Sequence, residues 1–205
     1  MMKRITRRFV SSYRARAIVT RLIAQGREME RQIAARDPAV FTGVAPELER
    51  HFLTPGQRLS PPGAGNIMGM MIGLTCGVAG VMGMMADVAF AFTNVSPAVA
   101  LLGSGAILAV WMTLILLQLT QGKNSGVLLL KYYLLLLPVA LLAALFAWGM
   151  GVSGFFSVVL LLAGTAGGFI FSHRTIFYLY VDYFRSRRRV FVKRRWQMAE
   201  IRRGR

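Results

Sequence analysis

Four long apolar runs, separated by short connections, constrain this sequence more than any other feature. They cover about residues 67–89, 98–119, 127–148 and 154–171. Among Asp, Glu, Lys and Arg, residues 66–173 contain only Asp87, Lys123 and Lys131. Each run approaches the roughly 20 helical residues that cross a hydrocarbon core. Backbone groups inside a membrane must bond within their own segment, and the runs show no two-residue alternation, so helices are expected. The sequence predicts an all-α membrane protein with a four-helix transmembrane domain at 66–173.

The net charge of +17 is concentrated at the two ends of the chain. Residues 1–65 carry 12 Lys and Arg against five acids, and residues 174–205 carry 11 against two. The connection between the second and third runs contains Lys123, whereas the other two connections contain no Lys or Arg. The positive-inside bias therefore predicts a multi-pass protein with both termini cytoplasmic. We expect a bacterial inner membrane; the acid-free, Arg-rich residues 1–27 also suit a mitochondrial presequence, so the mitochondrial inner membrane is the alternative.

Three segments outside the apolar runs have distinct patterns. Residues 1–36 alternate arginines with apolar residues near a helical period, which predicts a cytoplasmic basic amphipathic helix. Such a helix suits either an anionic leaflet or a partner protein. Residues 37–65 are rich in Pro and Gly and are expected to form a linker with at most a short helical turn at "PELERHFL". Residues 174–205 are expected to form a basic, aromatic helical extension in the cytoplasm.

Glycine recurs on the first and fourth runs at helical spacing. The expected packing positions are Gly69, Gly73, Gly77, Gly80, Gly164 and Gly168. In a lipid environment, residues without side chains allow two helices to approach closely and gain dispersion contact. This spacing predicts tight helix–helix packing. It leaves open whether the partner helix belongs to the same chain or to another subunit.

Two sets of charged residues are candidate functional positions. Asp87 is the only acid in the apolar runs and is a candidate intramembrane polar site, although it lies near the expected outer interface. Seven cations of the C-terminal segment are candidate contacts for anionic lipid or partner proteins: Arg185, Arg187, Arg188, Arg189, Lys193, Arg194 and Arg195. Basic residues interleaved with aromatics also suit single-stranded nucleic acid, but their juxtamembrane position favours lipid or protein.

The sequence contains no motif that, in its structural context, indicates a catalytic, cofactor or metal site. We therefore expect a non-enzymatic integral subunit of a larger bacterial membrane assembly, in contact with other membrane-protein subunits. In size and layout it resembles the small polytopic accessory proteins of conjugation and secretion machines, without a motif that identifies a family. A small oligomeric channel or transporter is the alternative, and a membrane tether for nucleic acid is the third hypothesis.

Overall fold

The computed structural model describes residues 2–42, 44, 46–53 and 64–203, without the side chains of residues 2–17, 46–48, 51, 64 and 66. These described residues form helices and no strand. The elements in chain order are α1 (Met2–Ala34), a short 3-10 helix (Pro38–Phe41), α2 (Pro46–Leu53), α3 (Ala64–Phe92), α4 (Pro97–Thr120), α5 (Asn124–Gly149), α6 (Phe155–Ser172) and α7 (Thr175–Arg203).

Helices α3 to α6 are long and apolar enough to cross a membrane. The qualifying stretches are Ile67–Phe92, Pro97–Thr120, Asn124–Gly149 and Phe155–Ser172. The prediction of an all-α chain with four candidate membrane spans is therefore confirmed. Compared with the predicted runs, the spans end one to three residues later, and α5 begins three residues earlier, at Asn124, whereas α6 begins one residue later, at Phe155.

Glycine ends two of these helices in the same way. Gly122 and Gly151 have φ angles of +65° and +74°, in the left-handed region. The amide of Gly122 donates to the carbonyl of Leu119, and the next amide, of Lys123, donates to Gln118. This pair of bonds is a Schellman motif, in which the left-handed residue is usually glycine because it has no Cβ to clash. The motif reverses the chain within three residues after α4.

The chain divides into two compact units. The apolar unit comprises Gly65–Leu116 and Leu129–Arg174. The polar unit comprises Met1–Ala64, Leu117–Leu128 and Thr175–Arg205, so it combines both ends of the chain with the connection between α4 and α5. The predicted four-part division into 1–36, 37–65, 66–173 and 174–205 follows sequence order, whereas these units join segments that are distant in sequence.

In the polar unit, α7 packs against α1, α2 and the 3-10 helix. The rings of Phe41 and Trp196 meet edge to face with centroids 5.2 Å apart, and those of Phe52 and Tyr183 do the same at 5.2 Å. The ammonium of Lys193 donates to Glu49 at 2.6 Å. The predicted linker at 37–65 thus includes two short helices that dock on α7; its residues 43, 45 and 54–63 lie outside the described residues.

The second half of α1 buries its apolar side within the protein. Leu22, Ile23 and Met29 are at most 8% exposed. Their burial removes these apolar groups from water and places them in contact with other protein atoms rather than with lipid. The lipid-lying arrangement considered for the basic helix therefore does not apply to this half. The side chains of residues 2–17, which form the first half, lie outside the description.

Candidate functional site

A buried arginine marks the centre of the polar unit. Arg185 on α7 is 1% exposed, and its Nη2 donates to Oδ1 of Asn124 at 3.4 Å. Its Nε has no hydrogen-bond partner among the described residues. Burial lowers the pKa of Arg185 to about 10, because it disfavours the charged guanidinium; the carboxylates of Asp182 and Glu30 oppose the shift, whereas Arg189 adds to it.

Glu30 on α1 joins this region to two other elements. Its Oε1 accepts from the backbone N–H of Asn124, the first residue of α5, at 3.0 Å. The same oxygen accepts from Nη1 of Arg188 at 3.2 Å. The first N–H groups of a helix lack partners within the helix and carry partial positive charge, so a carboxylate stabilises them. Nη1 of Arg188 also donates to the carbonyl of Gly122 at 3.3 Å, just past the end of α4.

Two glycines allow these elements to meet. A Cβ on Gly26 of α1 would overlap the side chains of Asn124 and Arg185. A Cβ on Gly122 would lie 2.6 Å from the carbonyl oxygen of Phe184, which belongs to the backbone of α7. Side chains at either position would push apart α1, α7 and the connection between α4 and α5. We call Glu30, Asn124, Arg185 and Arg188 the polar cluster. The polar cluster therefore depends on close backbone approach as well as on charge.

The seven C-terminal cations proposed as lipid or partner contacts have different environments. Arg187, Arg194 and Arg195 are exposed, whereas Arg188 is half-buried against Glu30 and Lys193 is half-buried against Glu49. Arg189 is half-buried and its Nε lacks a partner within the described part of the chain. The expectation needs correction for Arg185, because a side chain that is 1% exposed and bonded to Asn124 has no free surface for lipid.

The exposed cations include part of a basic concavity. A hollow of about 550 Å³ is lined by ten residues of the polar unit: Ile33, Thr120, Gln121, Lys123, Phe184, Arg187, Arg188, Phe191, Val192 and Arg195. Four of these carry positive charge and none is acidic. The wall comes from the end of α1, the connection between α4 and α5, and α7. Such a hollow attracts anions, because cations on a concave protein surface reinforce each other's potential.

In the apolar unit, α3 and α6 contact each other along antiparallel paths. A Cβ on Gly73 would lie 3.0 Å from the carbonyl carbon of Gly167, and a Cβ on Gly164 would overlap the backbone of Gly77. Contacts continue on both sides of this region: Gly69 faces the Phe171 ring, Gly80 faces Leu161, and Gly168 faces Leu134 of α5. The contact positions rise along α3 as they fall along α6. The backbones approach closely where Gly73 and Gly77 meet Gly164 and Gly167.

Asp87 acts as a cap for another helix. Its Oδ2 accepts from the backbone N–H of Gly154 at 2.9 Å, from the hydroxyl of Ser157 at 3.1 Å and from that of Ser153 at 3.3 Å. Gly154 is the N-cap residue of α6 and has no side chain with which to accept a hydrogen bond. The carboxylate from α3 therefore bonds the backbone N–H of the N-cap residue, as the Glu of a capping box does, and places a negative charge at the positive end of the α6 dipole. Its geometry is that of a helix cap.

Several residues of the polar cluster, of the basic concavity and of the connection between α4 and α5 were not selected from the sequence. Lys123 was used only to orient the chain, and Glu30, Asn124 and Gly122 received no role. The available signals were a glycine just past an apolar helix and an acid within an otherwise Arg-rich helix. Neither signal identifies the partner of these residues.

No protein-family model, curated protein or solved structure matches this chain. Among the described residues, no group of three or more His, Cys, Asp and Glu side chains is placed to hold a metal ion.

Proposed function

We propose that this protein is a non-enzymatic integral subunit of a larger bacterial inner-membrane assembly, with both basic ends in the cytoplasm. The observation that carries the proposal is the apolar surface of α4. Only 17% of its most apolar stretch is buried by the rest of the chain, compared with 33% for each of the other three candidate spans. A helix this apolar is covered in a membrane either by lipid or by other helices.

One position on α4 favours contact with another helix. Apart from its own helix and chain neighbours, a Cβ on Gly103 would meet no atom of the described residues within 4 Å. The neighbouring Leu102 and Ile107 are about 70% exposed. Small residues among larger apolar ones are typical of positions where a second transmembrane helix packs. Within the described part of the chain Gly103 packs against no other helix, which supports contact with another subunit.

The arrangement of polar groups in the candidate spans supports a subunit over a channel. The hydroxyls of Thr75, Thr113 and Thr165 each donate to the backbone carbonyl four residues earlier, at 2.7–2.9 Å. Ser104 does the same at 2.7 Å. These bonds satisfy the hydroxyls within their own helices. Asp87 bonds to the start of α6. A conduction path would need such groups directed at a shared lumen.

The test is purification of the full chain in a mild detergent, followed by mass spectrometry of the proteins that accompany it. We expect other membrane proteins to co-purify with wild-type protein at constant stoichiometry in high salt. Replacing Gly103 by Leu should release them, because the new side chain occupies a packing surface. The matched control is Gly149→Leu, since Gly149 on α5 also has nothing within 4 Å of a Cβ.

Other outcomes would overturn the proposal. If the protein purifies alone and its proteoliposomes conduct solute in a manner abolished by Asp87→Asn, the channel hypothesis replaces it. If it instead binds single-stranded DNA with an affinity that falls steeply with salt, the nucleic-acid tether replaces it, because counterion release makes such binding salt-dependent.

A further inference from the structure

The basic concavity of the polar unit is shaped for a charged amphiphile. Its cations are Lys123, Arg187, Arg188 and Arg195, and its apolar wall includes Phe184 and Phe191. Phe191 is 39% exposed, although water does not favour an exposed aromatic ring. A small inorganic anion would use the cations alone. A ligand that joins a phosphate to a hydrocarbon would use both parts of the wall.

The charges in the concavity are available to a ligand. Within the described chain, Lys123, Arg187 and Arg195 form no ion pair, and only Arg188 is paired, with Glu30. The Arg187 guanidinium lies over the Phe191 ring, 5.6 Å from its centroid, which places the charge beside the apolar wall.

The concavity includes the end of a candidate membrane span, and this position indicates the class of ligand. Thr120 is the last residue of α4 and of the candidate span Pro97–Thr120, and it belongs to the wall together with Gln121 and Lys123. The end of a spanning helix lies at the depth of the lipid headgroups. Basic pockets at this depth on the cytoplasmic side bind the headgroups of anionic lipids.

We propose that this concavity binds the headgroup of an anionic phospholipid, and that Lys123, Arg187 and Arg195 select a headgroup with two phosphates over one with a single phosphate. The Schellman motif at Gly122 and the pairing of Arg188 with Glu30 hold the wall in place before the lipid arrives. Lys123, Arg187 and Arg195 contact the phosphates, while Phe184 and Phe191 contact the first carbons of the lipid. The inference rests on the membrane placement proposed above and adds a defined site to it.

The experiment measures lipid retained by the full chain in mild detergent, using native mass spectrometry. Diphosphatidylglycerol, phosphatidylglycerol and phosphatidylcholine are added to wild type and to the triple variant Lys123→Gln, Arg187→Gln and Arg195→Gln. Each cation near a membrane surface strengthens binding of an anionic lipid about fivefold, so the triple variant should bind the two-phosphate lipid about a hundredfold more weakly. Arg188 is left unchanged because it supports the fold.

The matched control removes the same charge from the same chain outside the concavity. Arg21 and Arg27 on α1 and Arg36 just after it are exposed and are not part of the wall. Their triple replacement by Gln should leave retention of the two-phosphate lipid within about twofold of wild type, because only the general attraction to the surface changes. Far-UV circular dichroism confirms that both triple variants keep their helical content.

Three results would overturn the headgroup site. The first is equal lipid retention by the two triple variants. The second is tight binding of inorganic pyrophosphate with no preference for lipid, which would assign the site to a soluble phosphate. The third is loss of oligothymidylate binding, but not of lipid binding, in the Lys123 triple variant. Proteins that accompany the chain are scored in the same preparations, so a partner that remains bound while the site fails leaves the subunit proposal intact.

Discussion

Replacing Gly164 by Ala should weaken the contact between α3 and α6. The added methyl group would overlap the Cα and N atoms of Gly77, so backbone rather than a flexible side chain must move. The matched control is Gly103→Ala on α4, where the added methyl group meets nothing within 4 Å. Both changes add one methyl group to a glycine within an apolar helix.

The expected loss follows from the contact distances. Carbon atoms rest about 3.5–4.0 Å apart, so the two helices must separate locally by roughly 1 Å. Overpacking of this kind costs about 1–3 kcal/mol. The better helix propensity of alanine returns at most about 1 kcal/mol. Gly164→Ala should therefore lower the free energy of unfolding by about 1–2 kcal/mol, whereas Gly103→Ala should raise it by up to about 1 kcal/mol, because only the helix propensity changes.

The assay is unfolding of the full chain in mixed micelles of a mild detergent and increasing dodecyl sulfate, followed by circular dichroism. A second measurement reports on the contact itself. Cys76, the single cysteine, is half-buried on α3 next to Gly77, so separation of the helices should speed its reaction with a thiol reagent. Equal midpoints and equal labelling rates for the two variants would refute the reasoning, because the close backbone contact would then contribute nothing.

Three further changes test other parts of the structure. Asp87→Asn removes the charged acceptor at the start of α6 and should lower the midpoint of thermal unfolding by an amount corresponding to about 1 kcal/mol, with no effect on liposome flux; an unchanged midpoint would contradict the capping role. Gly122→Ala should lower the free energy of unfolding by about 2–4 kcal/mol, because it combines a strained left-handed φ with a backbone clash, whereas Gly151→Ala should lower it by only about 1–2 kcal/mol, from the φ angle alone. Unfolding in dodecyl sulfate compares the two variants, and equal losses would exclude the clash. Arg185→Gln tests the burial of charge. The pKa of Arg185 is about 10 in the folded protein and higher in the unfolded chain, so the unfolded chain keeps its proton to higher pH. Between about pH 9 and pH 11 the free energy of unfolding of wild type should therefore rise by about 1 kcal/mol relative to that of the variant. A constant difference in unfolding free energy across that range would show that the guanidinium is not desolvated.

The helical spans were predictable because their cause is local. A long apolar run without charges has few alternatives to a membrane-spanning helix, since its backbone groups must bond to each other. The spacing of Gly73 and Gly77 likewise indicated a close-packed face from a single segment. It did not reveal the partner, which is α6 of the same chain at Gly164 and Gly167.

The polar cluster could not be predicted because its contacts join distant parts of the sequence. Glu30 bonds to residues 94 and 158 positions away, and no local pattern encodes such a pairing. Asp87 stood out in the sequence as the only acid in the apolar runs, yet its partners lie 66 to 70 residues later. The sequence also gave every C-terminal cation the same role, whereas burial separates Arg185 from Arg187. Burial depends on which elements surround α7, and this information is not contained in α7.

The bond between Glu30 and Arg188 has a consequence for biosynthesis. The ribosome makes α1 first and α7 last, so Glu30 must wait for nearly the whole chain before its partner exists. Until then the start of α5 has its carboxylate cap, but the end of α4 lacks the guanidinium that bonds the Gly122 carbonyl. Closing a loop of this length also carries an entropic cost that local contacts avoid. Completion of the polar unit therefore requires that all four apolar helices have already been synthesised.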